Sequence, residues 1–235
     1  MKKNMRKRNQ YIQALSTNKL LKDLEVDQIE TILDDLNVEK WPKNTCSLHK
    51  TNTFHRQFHF IISGRLKVYK IDPESGREFT LFLLTRNDVF DMMCLLNECD
   101  QHVYYETLDK TILLAASLEK MQMWMKEYPE INRNILPYLC HQLRVVEEYA
   151  TNLTLTEIPV RLAKLILRNI NSESQKLELI NDLSNEEIAN MIGTTRAVVN
   201  RHLQEFKNDG TLLLGRQKME IKNLQKLLRK AGPNL

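Results

Sequence analysis

The sequence predicts an α+β protein with an N-terminal, jelly-roll-like β-roll domain, a long helix and a C-terminal winged helix-turn-helix. Short apolar stretches recur between turn signals from Cys46 to about Leu118. Apolar residues then recur at helical spacing after Pro129. A pair of short helices with capping signals lies within Leu183–Leu213. We set the three parts at residues 1–128, 129–158 and 159–235.

The N-terminal part begins with helix and continues as strands. Leucines and isoleucines at helical spacing predict helical structure over Gln10–Asn37, which ends before Trp41-Pro42 because the residue before proline favours extended backbone. Turn signals such as Ser63-Gly64 separate the apolar stretches that follow, and strands spaced 8–12 residues apart predict a barrel or sandwich. The predicted strands are Phe58–Ile62, Leu66–Ile71, Phe79–Leu84, Val89–Leu96, Val103–Leu108 and Ile112–Leu118.

The long helix carries an apolar stripe with spacing alternating between 3 and 4, as in the seam of a coiled coil. The stripe consists of Leu136, Leu139, Leu143, Val146, Ala150 and Leu153. We favour pairing of this helix with a second copy of the chain, while packing within its own chain remains the alternative. Pro137 is a position where the helix can kink or restart.

The C-terminal part contains the most informative motif. Ser184 with Glu187 forms a predicted capping box, and Gly193 suits the left-handed end of a short helix. Thr194 and Thr195 then cap a second helix over Arg196–Asn208, with Val198, Val199, Leu203 and Phe206 as its buried side. This order predicts a helix-turn-helix.

The residue types of the second helix are suited to reading DNA in the major groove. Arginine bonds bidentately to guanine, and asparagine or glutamine to adenine, whereas hydroxyls and helix N-termini suit phosphates. The candidate DNA-binding residues on and before this helix are Thr194, Thr195, Arg196, Ala197, Asn200, Arg201 and Gln204. A β-hairpin with a basic tip follows over residues 211–221 and predicts a wing, in which Arg216 and Lys218 reach phosphate.

Charge is distributed unevenly along the 235 residues, of which 42% are hydrophobic and 27% charged. The net charge is +4, but residues 9–158 are net acidic, whereas the first eight residues and the part from Pro159 onward each carry +5. A basic module on a non-basic body is typical of nucleic-acid binders. No apolar run approaches the length of a membrane span or signal peptide, and four cysteines indicate no disulfide framework, so we expect a cytoplasmic protein.

The order of these parts resembles the Crp/Fnr family of bacterial transcription regulators. The resemblance is most specific in Phe58–Val68, which is similar to the family's strand–glycine–strand core, and in Leu183–Leu213. It implies a cyclic-nucleotide-binding-like β-roll acting as sensor, a dimerisation helix over residues 129–158, and a DNA-binding domain. It also implies double-stranded DNA with a palindromic site, a second copy and RNA polymerase as partners. By the resemblance, Arg196, Ala197 and Arg201 occupy base-reading positions, and Ala197 replaces the glutamate that is common there.

The effector pocket departs from the family pattern. Nucleotide-binding members hold the ribose with a Gly-Glu-Leu-like segment, where this chain has Phe90–Leu95, and the cyclic phosphate with an Arg-Ser pair, where it has His102-Val103. Without a fixed cation the phosphate loses its charge-assisted bonds. We therefore expect no ordinary response to cyclic AMP. The candidate pocket residues are Asp91, Met92, Met93 and His102.

Two further residue sets raise other possibilities. Cys94 with Cys99 has a spacing compatible with redox chemistry or a metal, and His49, His55 and His59 are potential metal ligands that we expect to be solvent-facing strand residues instead. The alternatives are a small-molecule or redox-sensing module acting through protein partners, and a metal enzyme on the β-roll. We assign no catalytic residue, metal or cofactor, and predict that the chain is not an enzyme.

Overall fold

A computed structural model describes residues 2–47, 56–97, 103–171, 176–215 and 218–232. It divides into two compact units. One comprises Met1–Gly76 with Leu81–Arg144, and the other Arg77–Thr80 with Val145–Leu235. The division therefore falls inside the long helix, whereas we placed boundaries at its two ends.

The chain begins with two helices, α1 (Lys2–Ser16) and α2 (Val26–Asp34), so the helical prediction over Gln10–Asn37 holds except in the segment between them. Asn18 separates them because its side-chain oxygen accepts a hydrogen bond from the Leu20 amide at 2.9 Å, which favours a turn over continued helix. The leucines of the connecting segment still enter the core, so the apolar spacing was informative although the helix was interrupted.

Among the described residues, seven strands form two sheets. They are β1 (Asn37–Trp41), β2 (Gln57–Ser63), β3 (Leu66–Ile71), β4 (Glu78–Leu84), β5 (Val89–Phe90), β6 (Tyr104–Thr107) and β7 (Thr111–Ser117). All of them lie in the first unit except the beginning of β4, which belongs to the second. One sheet has the order β1-β7-β2-β5 and the other β4-β3-β6. The predicted fold class, a β-roll in the N-terminal part of the chain, is confirmed.

One strand was not predicted, and one predicted strand was wrong beyond its first two residues. We did not predict β1, because Asn37–Trp41 lay at the end of an expected helix. The predicted strand Val89–Leu96 is the short β5 followed by the helix α3 (Met92–Asn97). The chain changes direction at Asp91, whose φ of 71° lies in the left-handed region and ends the extended run.

The sheet that contains β2 is buried on both faces. Phe58, Phe60 and Leu114 pack among the helices, whereas Ile61 and Leu113 face a second apolar cluster between the sheets. Helix α4 (Leu118–Glu127), which we did not predict, covers the helical side with Met121 and Trp124. Ser117 starts it by accepting a hydrogen bond from the Lys120 amide at 3.1 Å.

The long helix α5 (Pro129–Leu155) is continuous through Pro137. The second unit adds α6 (Ile158–Arg168), α7 (Asn185–Ile192), α8 (Arg196–Asn208), the hairpin β8 (Leu212–Gly215) and β9 (Lys218–Ile221), and α9 (Leu224–Ala231). This is the predicted winged helix-turn-helix. Among the described residues, no helix combines the length and apolarity that crossing a membrane requires.

Candidate nucleic-acid interface

Helix α7 begins and ends where the sequence predicted. The Ser184 hydroxyl accepts from the Glu187 amide at 3.2 Å, and the Glu187 carboxylate accepts from the Ser184 amide at 2.7 Å. These reciprocal bonds form the capping box. Gly193 ends the helix with φ 67° and ψ 45°, and a Cβ atom there would collide with Leu153. The left-handed backbone conformation is what favours glycine here, because the colliding atom is the end of the flexible Leu153 side chain, which can shift.

Helix α8 is amphipathic in the predicted sense. Val199, Leu203 and Phe206 are buried, Val198 is only half-buried, and His202 is a buried residue that we did not predict. His202 Nδ1 lies 2.8 Å from a Glu205 carboxylate oxygen, so its polar ring is satisfied within the helix. Burial of His202 could have been predicted from its position, because it lies three residues after Val199 and next to Leu203, on the buried face of the helix.

The opposite side of α8 presents the candidate base-reading residues together. At about 100° per residue, they span an arc of about 140°. All are exposed, and they are Arg196, Ala197, Asn200, Arg201 and Gln204. A surface of this width, with polar ends directed outward, has the residue types that recognise base edges.

Charge on this face is concentrated at Arg196 and Arg201. Arg196 forms no ion pair within the described part of the chain, and it stands at the start of α8, where the helix dipole adds positive potential. Arg201 makes a loose, exposed contact with Glu205 at 3.9 Å. Such a pair contributes little to stability. The Arg201 Nη2 atom also lies 3.3 Å from His202 Nε2, so binding a phosphate or a base would replace a weak ion pair and one long hydrogen bond.

The two threonines before α8 differ from one another. Thr195 is exposed and is the N-cap residue, but its side chain makes no capping hydrogen bond, contrary to our expectation. Its hydroxyl therefore remains accessible to solvent or a ligand. Thr194 is only 9% exposed and is part of the turn, which leaves little of it for contact with DNA.

The wing is joined to α8 by a turn that Asp209 organises. Its carboxylate accepts from the Thr211 amide at 2.9 Å and hydroxyl at 2.6 Å, and from Lys230 of α9 at 2.6 Å. Desolvation opposes ionisation, but the bonds from Lys230 and Thr211 outweigh it and lower the pKa of Asp209 to about 2. On the wing, Lys218 is exposed and pairs with Glu220 at 2.6 Å, whereas Arg216 lies outside the described residues.

The predicted seam residues on α5 divide into two groups. Leu136 and Leu143 are 67% and 68% exposed, and Val146 and Ala150 are exposed as well. Leu139 instead packs against the helical core of the first unit. Leu153 is half-buried and packs against Gly193, so the alternative of packing within the chain holds at this position.

The candidate effector residues differ in how far they are buried. Asp91 is buried and its carboxylate lies 3.0 Å from His59 Nδ1. Met92 is buried within the helical cluster, whereas Met93 is 64% exposed, so the two methionines point away from one another. His102 lies outside the described residues. Asp91 and Met92 are thus buried, whereas Met93 is exposed, and the effector pocket stays a prediction.

His59 with Asp91 forms a buried polar pair that sequence reasoning missed. The His59 ring stacks on Phe90 with centroids 4.3 Å apart and meets Trp41 edge-on at 6.1 Å. Tyr105 lies beside them, and burial followed by the neighbouring Asp91 charge raises the pKa of Tyr105 well above its ordinary value. The prediction of a solvent-facing His59 was wrong, because both faces of β2 are covered.

The metal and redox candidates lie largely outside the described residues. No group of three or more histidine, cysteine or acidic side chains among the described residues is placed to hold a metal ion. His49, His55 and Cys99 lie outside those residues, and Cys94 is buried.

A domain of seven strands joined through a long helix to a winged helix-turn-helix with a basic recognition face defines a class of DNA-binding regulators. Residues 160–230 match the family model of the Crp-like helix-turn-helix domain, and residues 38–128 match that of the cyclic nucleotide-binding domain. The chain belongs to the Crp/Fnr family of transcription regulators, and is accordingly a regulator rather than an enzyme.

The relatives agree with this assignment. The chain is 27% identical over 179 residues to the CRP-like cAMP-activated global transcriptional regulator of Mycobacterium tuberculosis, covering 74% of this chain and 80% of that protein. It is 26% identical over 171 residues to the global nitrogen regulator of a Nostoc species, covering 69% and 75%. The crystal structure of a crp/fnr-family regulator from Eubacterium rectale superimposes with a TM-score of 0.70 at 25% identity, covering 90% and 97%. FixK2 from Bradyrhizobium japonicum, at 16% identity and a TM-score of 0.72 over 85% and 99%, shares the fold.

Proposed function

We propose that this chain acts as a homodimer that reads a palindromic DNA site through two copies of α8. The main support for this proposal is the exposed face of α8, where Arg196, Asn200 and Arg201 project from a helix whose other side is buried. Its N-terminal residues meet base edges when such a helix enters the major groove. Thr195, Gln204, Lys218 and Arg216 add phosphate or base contacts around it.

A palindromic site requires a dimer, because two recognition helices must enter successive major grooves about 34 Å apart. The unpaired apolar side of α5, with Leu136 and Leu143 largely in solvent, provides a self-complementary surface for a second copy. We place the active dimer in the cytoplasm, where its DNA target and RNA polymerase are found. Contact with the polymerase rests on the family resemblance.

Replacement of Arg196 tests the reading role. We expect Arg196→Ala to weaken binding to the preferred site by about 1–3 kcal/mol and to relax the choice of base at one position in each half-site. The preferred site is obtained by selection from random duplexes, and affinity is measured by fluorescence anisotropy. Arg229→Ala removes the same charge from an exposed position on α9 and serves as the control. Equal losses in both variants, with unchanged base preference, would exclude Arg196 from base reading.

We also propose that cyclic AMP does not control this regulator in the usual way. The support is the neighbourhood of Asp91, where a buried carboxylate is held by His59 at 3.0 Å and Met92 is turned into the helical core. A phosphate brought next to Asp91 would meet like charge in a poorly solvated interior.

Isothermal titration of the full-length protein with cyclic AMP tests this proposal. We expect no saturable heat below about 1 mM nucleotide, equivalent to a binding free energy weaker than about 4 kcal/mol. DNA affinity should be the same with and without the nucleotide. Micromolar binding at one site per chain would contradict the proposal.

A further inference from the structure

A cleft lies in the first unit among α1, β1, β2 and the turns before β5 and β7, and it is lined neither by α8 nor by Asp91. It has a volume of about 490 Å³. We call it the N-terminal cleft. Its floor is formed by half-buried or buried side chains, Tyr11, Ala14, Ile62 and Ile112, and exposed cations stand around it. Ligand pockets for small molecules usually measure about 300–1,000 Å³, so the size suits one small organic molecule.

Four cations from four different elements surround the cleft. Lys7 projects from α1, Lys40 from β1, Arg86 from the turn before β5, and Lys110 from the turn before β7. None of them forms an ion pair with another residue in the described ranges. No acidic residue lines the cleft within those ranges.

The carboxylates next to these cations in sequence are already engaged elsewhere. Asp88, two residues after Arg86, pairs with Lys19 at 2.6 Å. Asp109, which precedes Lys110, pairs with Arg65 at 2.7 Å. Glu39, which precedes Lys40, accepts a hydrogen bond from the Trp41 indole at 2.7 Å, so none of these neighbouring acids forms an ion pair with a cation of the cleft.

The backbone that carries the two turn cations is held in place. The Asn87 amide donates to the Ile61 carbonyl at 3.1 Å, and the Asn18 side chain donates to the Asn87 carbonyl at 3.1 Å, which fixes the turn around Arg86. The Arg65 amide donates to Asp109 at 2.9 Å and fixes the turn around Lys110. Lys40 stands on a strand paired with β7 through Ile112. A site on fixed elements loses little entropy when it binds.

Like charges held on fixed elements around one concavity repel one another and raise its positive potential. A bound anion relieves this repulsion and accepts charge-assisted hydrogen bonds from lysine and arginine. The apolar floor adds a second requirement, since Tyr11, Ile62 and Ile112 gain from contact with an apolar or aromatic body rather than with a bare ion.

We propose that the N-terminal cleft binds a small organic anion that carries at least two negative charges on an apolar or aromatic body. The concave shape and apolar floor favour such a molecule over a DNA backbone, which offers phosphates without a body to fill the cavity. The site shares no residue with the recognition helix, so its failure and the failure of the proposed DNA reading are distinguishable.

Trinitrophenyl-ATP, a fluorescent aromatic polyanion, is the probe for this site in the full-length protein. We expect saturable binding of one probe per chain. Arg86→Gln combined with Lys110→Gln should weaken it at least tenfold, and Lys7→Gln combined with Lys40→Gln should do the same from the other two elements. Lys43→Gln combined with Lys70→Gln removes equal charge from exposed positions of the same unit and should change affinity less than twofold.

Competition experiments separate the contributions of charge and body. Inorganic tripolyphosphate should displace the probe only at a concentration at least tenfold higher than an unlabelled aromatic polyanion requires. The reason is that tripolyphosphate has no apolar or aromatic part to contact the floor of the cleft. Absence of saturable binding, or equal losses in the cleft and control variants, would overturn the proposal. Displacement by random duplex DNA but not by tripolyphosphate would assign the cleft to nucleic acid and overturn it as well.

Discussion

Arg196 and Asp209 differ in whether their hydrogen-bonding groups are exposed or used within the domain. Arg196 is exposed at the beginning of α8 and makes no ion pair among the described residues, so its hydrogen-bonding capacity is available for a partner. Asp209 uses its capacity internally, holding Thr211 and Lys230 where α8 ends. We propose recognition as the role of Arg196, whereas Asp209 fixes the turn that leads into the wing.

The Asp209 carboxylate makes the stability of this turn dependent on pH. Its pKa is about 2 in the folded chain against an ordinary 3.8, so its contribution is complete above about pH 4 and is lost as pH falls toward 2. The full shift would correspond to more than 2 kcal/mol, but the side chain is 39% exposed and solvent screening reduces this to about 1 kcal/mol.

Asp209→Asn should accordingly lower the free energy of unfolding by about 1 kcal/mol at pH 7, measured by urea denaturation. The difference between variant and parent should shrink as pH is lowered from 4 to 2, because the parent loses its charge there. A difference that stays constant over this range would show that the charge of Asp209 is not the cause.

At the scale of elements, the apolar stripe of α5 contains residues that pack within the chain and residues that remain exposed, and the spacing of the stripe does not distinguish them. Leu153 packs against the glycine that ends α7, and Leu139 packs in the helical core. Leu136 and Leu143 on the same stripe remain in solvent. A 27-residue helix that is anchored at two positions and apolar between them is suited to hold a second copy at a fixed spacing.

Leu143→Asp tests the exposed part of the stripe. Two carboxylates facing one another in the seam should dissociate the dimer, so sedimentation should show the mass of one chain where the parent shows two. Leu155→Asp makes the same change at a 78% exposed position on another side of α5 and should leave the dimer intact. A parent protein that sediments as a single chain would contradict the seam.

At the scale of the whole molecule, charge separation is the feature relevant to DNA. The part from Pro159 onward and the first eight residues are basic, whereas residues 9–158 are net acidic. Basic segments attract the phosphate backbone of a duplex, whereas net acidic segments repel it.

Salt should weaken the specific complex steeply. If the two copies together neutralise about six phosphates, affinity should fall by about 10³-fold between 50 and 200 mM monovalent salt, because condensed counterions are released on binding. Fluorescence anisotropy across this range gives the slope, and a duplex with a scrambled site shows the non-specific part. Specific binding that is insensitive to salt would exclude phosphate contacts as its main source.

Local signals in the sequence were sufficient for the C-terminal part. The capping box at Ser184, the left-handed Gly193 and the exposed polar face of α8 are each set by residues close in the chain, so pattern and structure agree. Most strands were predicted for the same reason, since turns at residues such as Gly64 separate them clearly.

The chain by itself thus determined the class of fold, the winged helix-turn-helix and the residues that face away from its core. Tertiary structure decided where each side of an element is covered. It placed His59 in the interior against Asp91, turned Met92 and Met93 apart, and brought four cations from separate elements around one cleft. The physical reason is that helix and strand periodicity depends on neighbours within a few residues, whereas burial and charge clustering depend on segments that are remote in sequence and meet only in the folded chain.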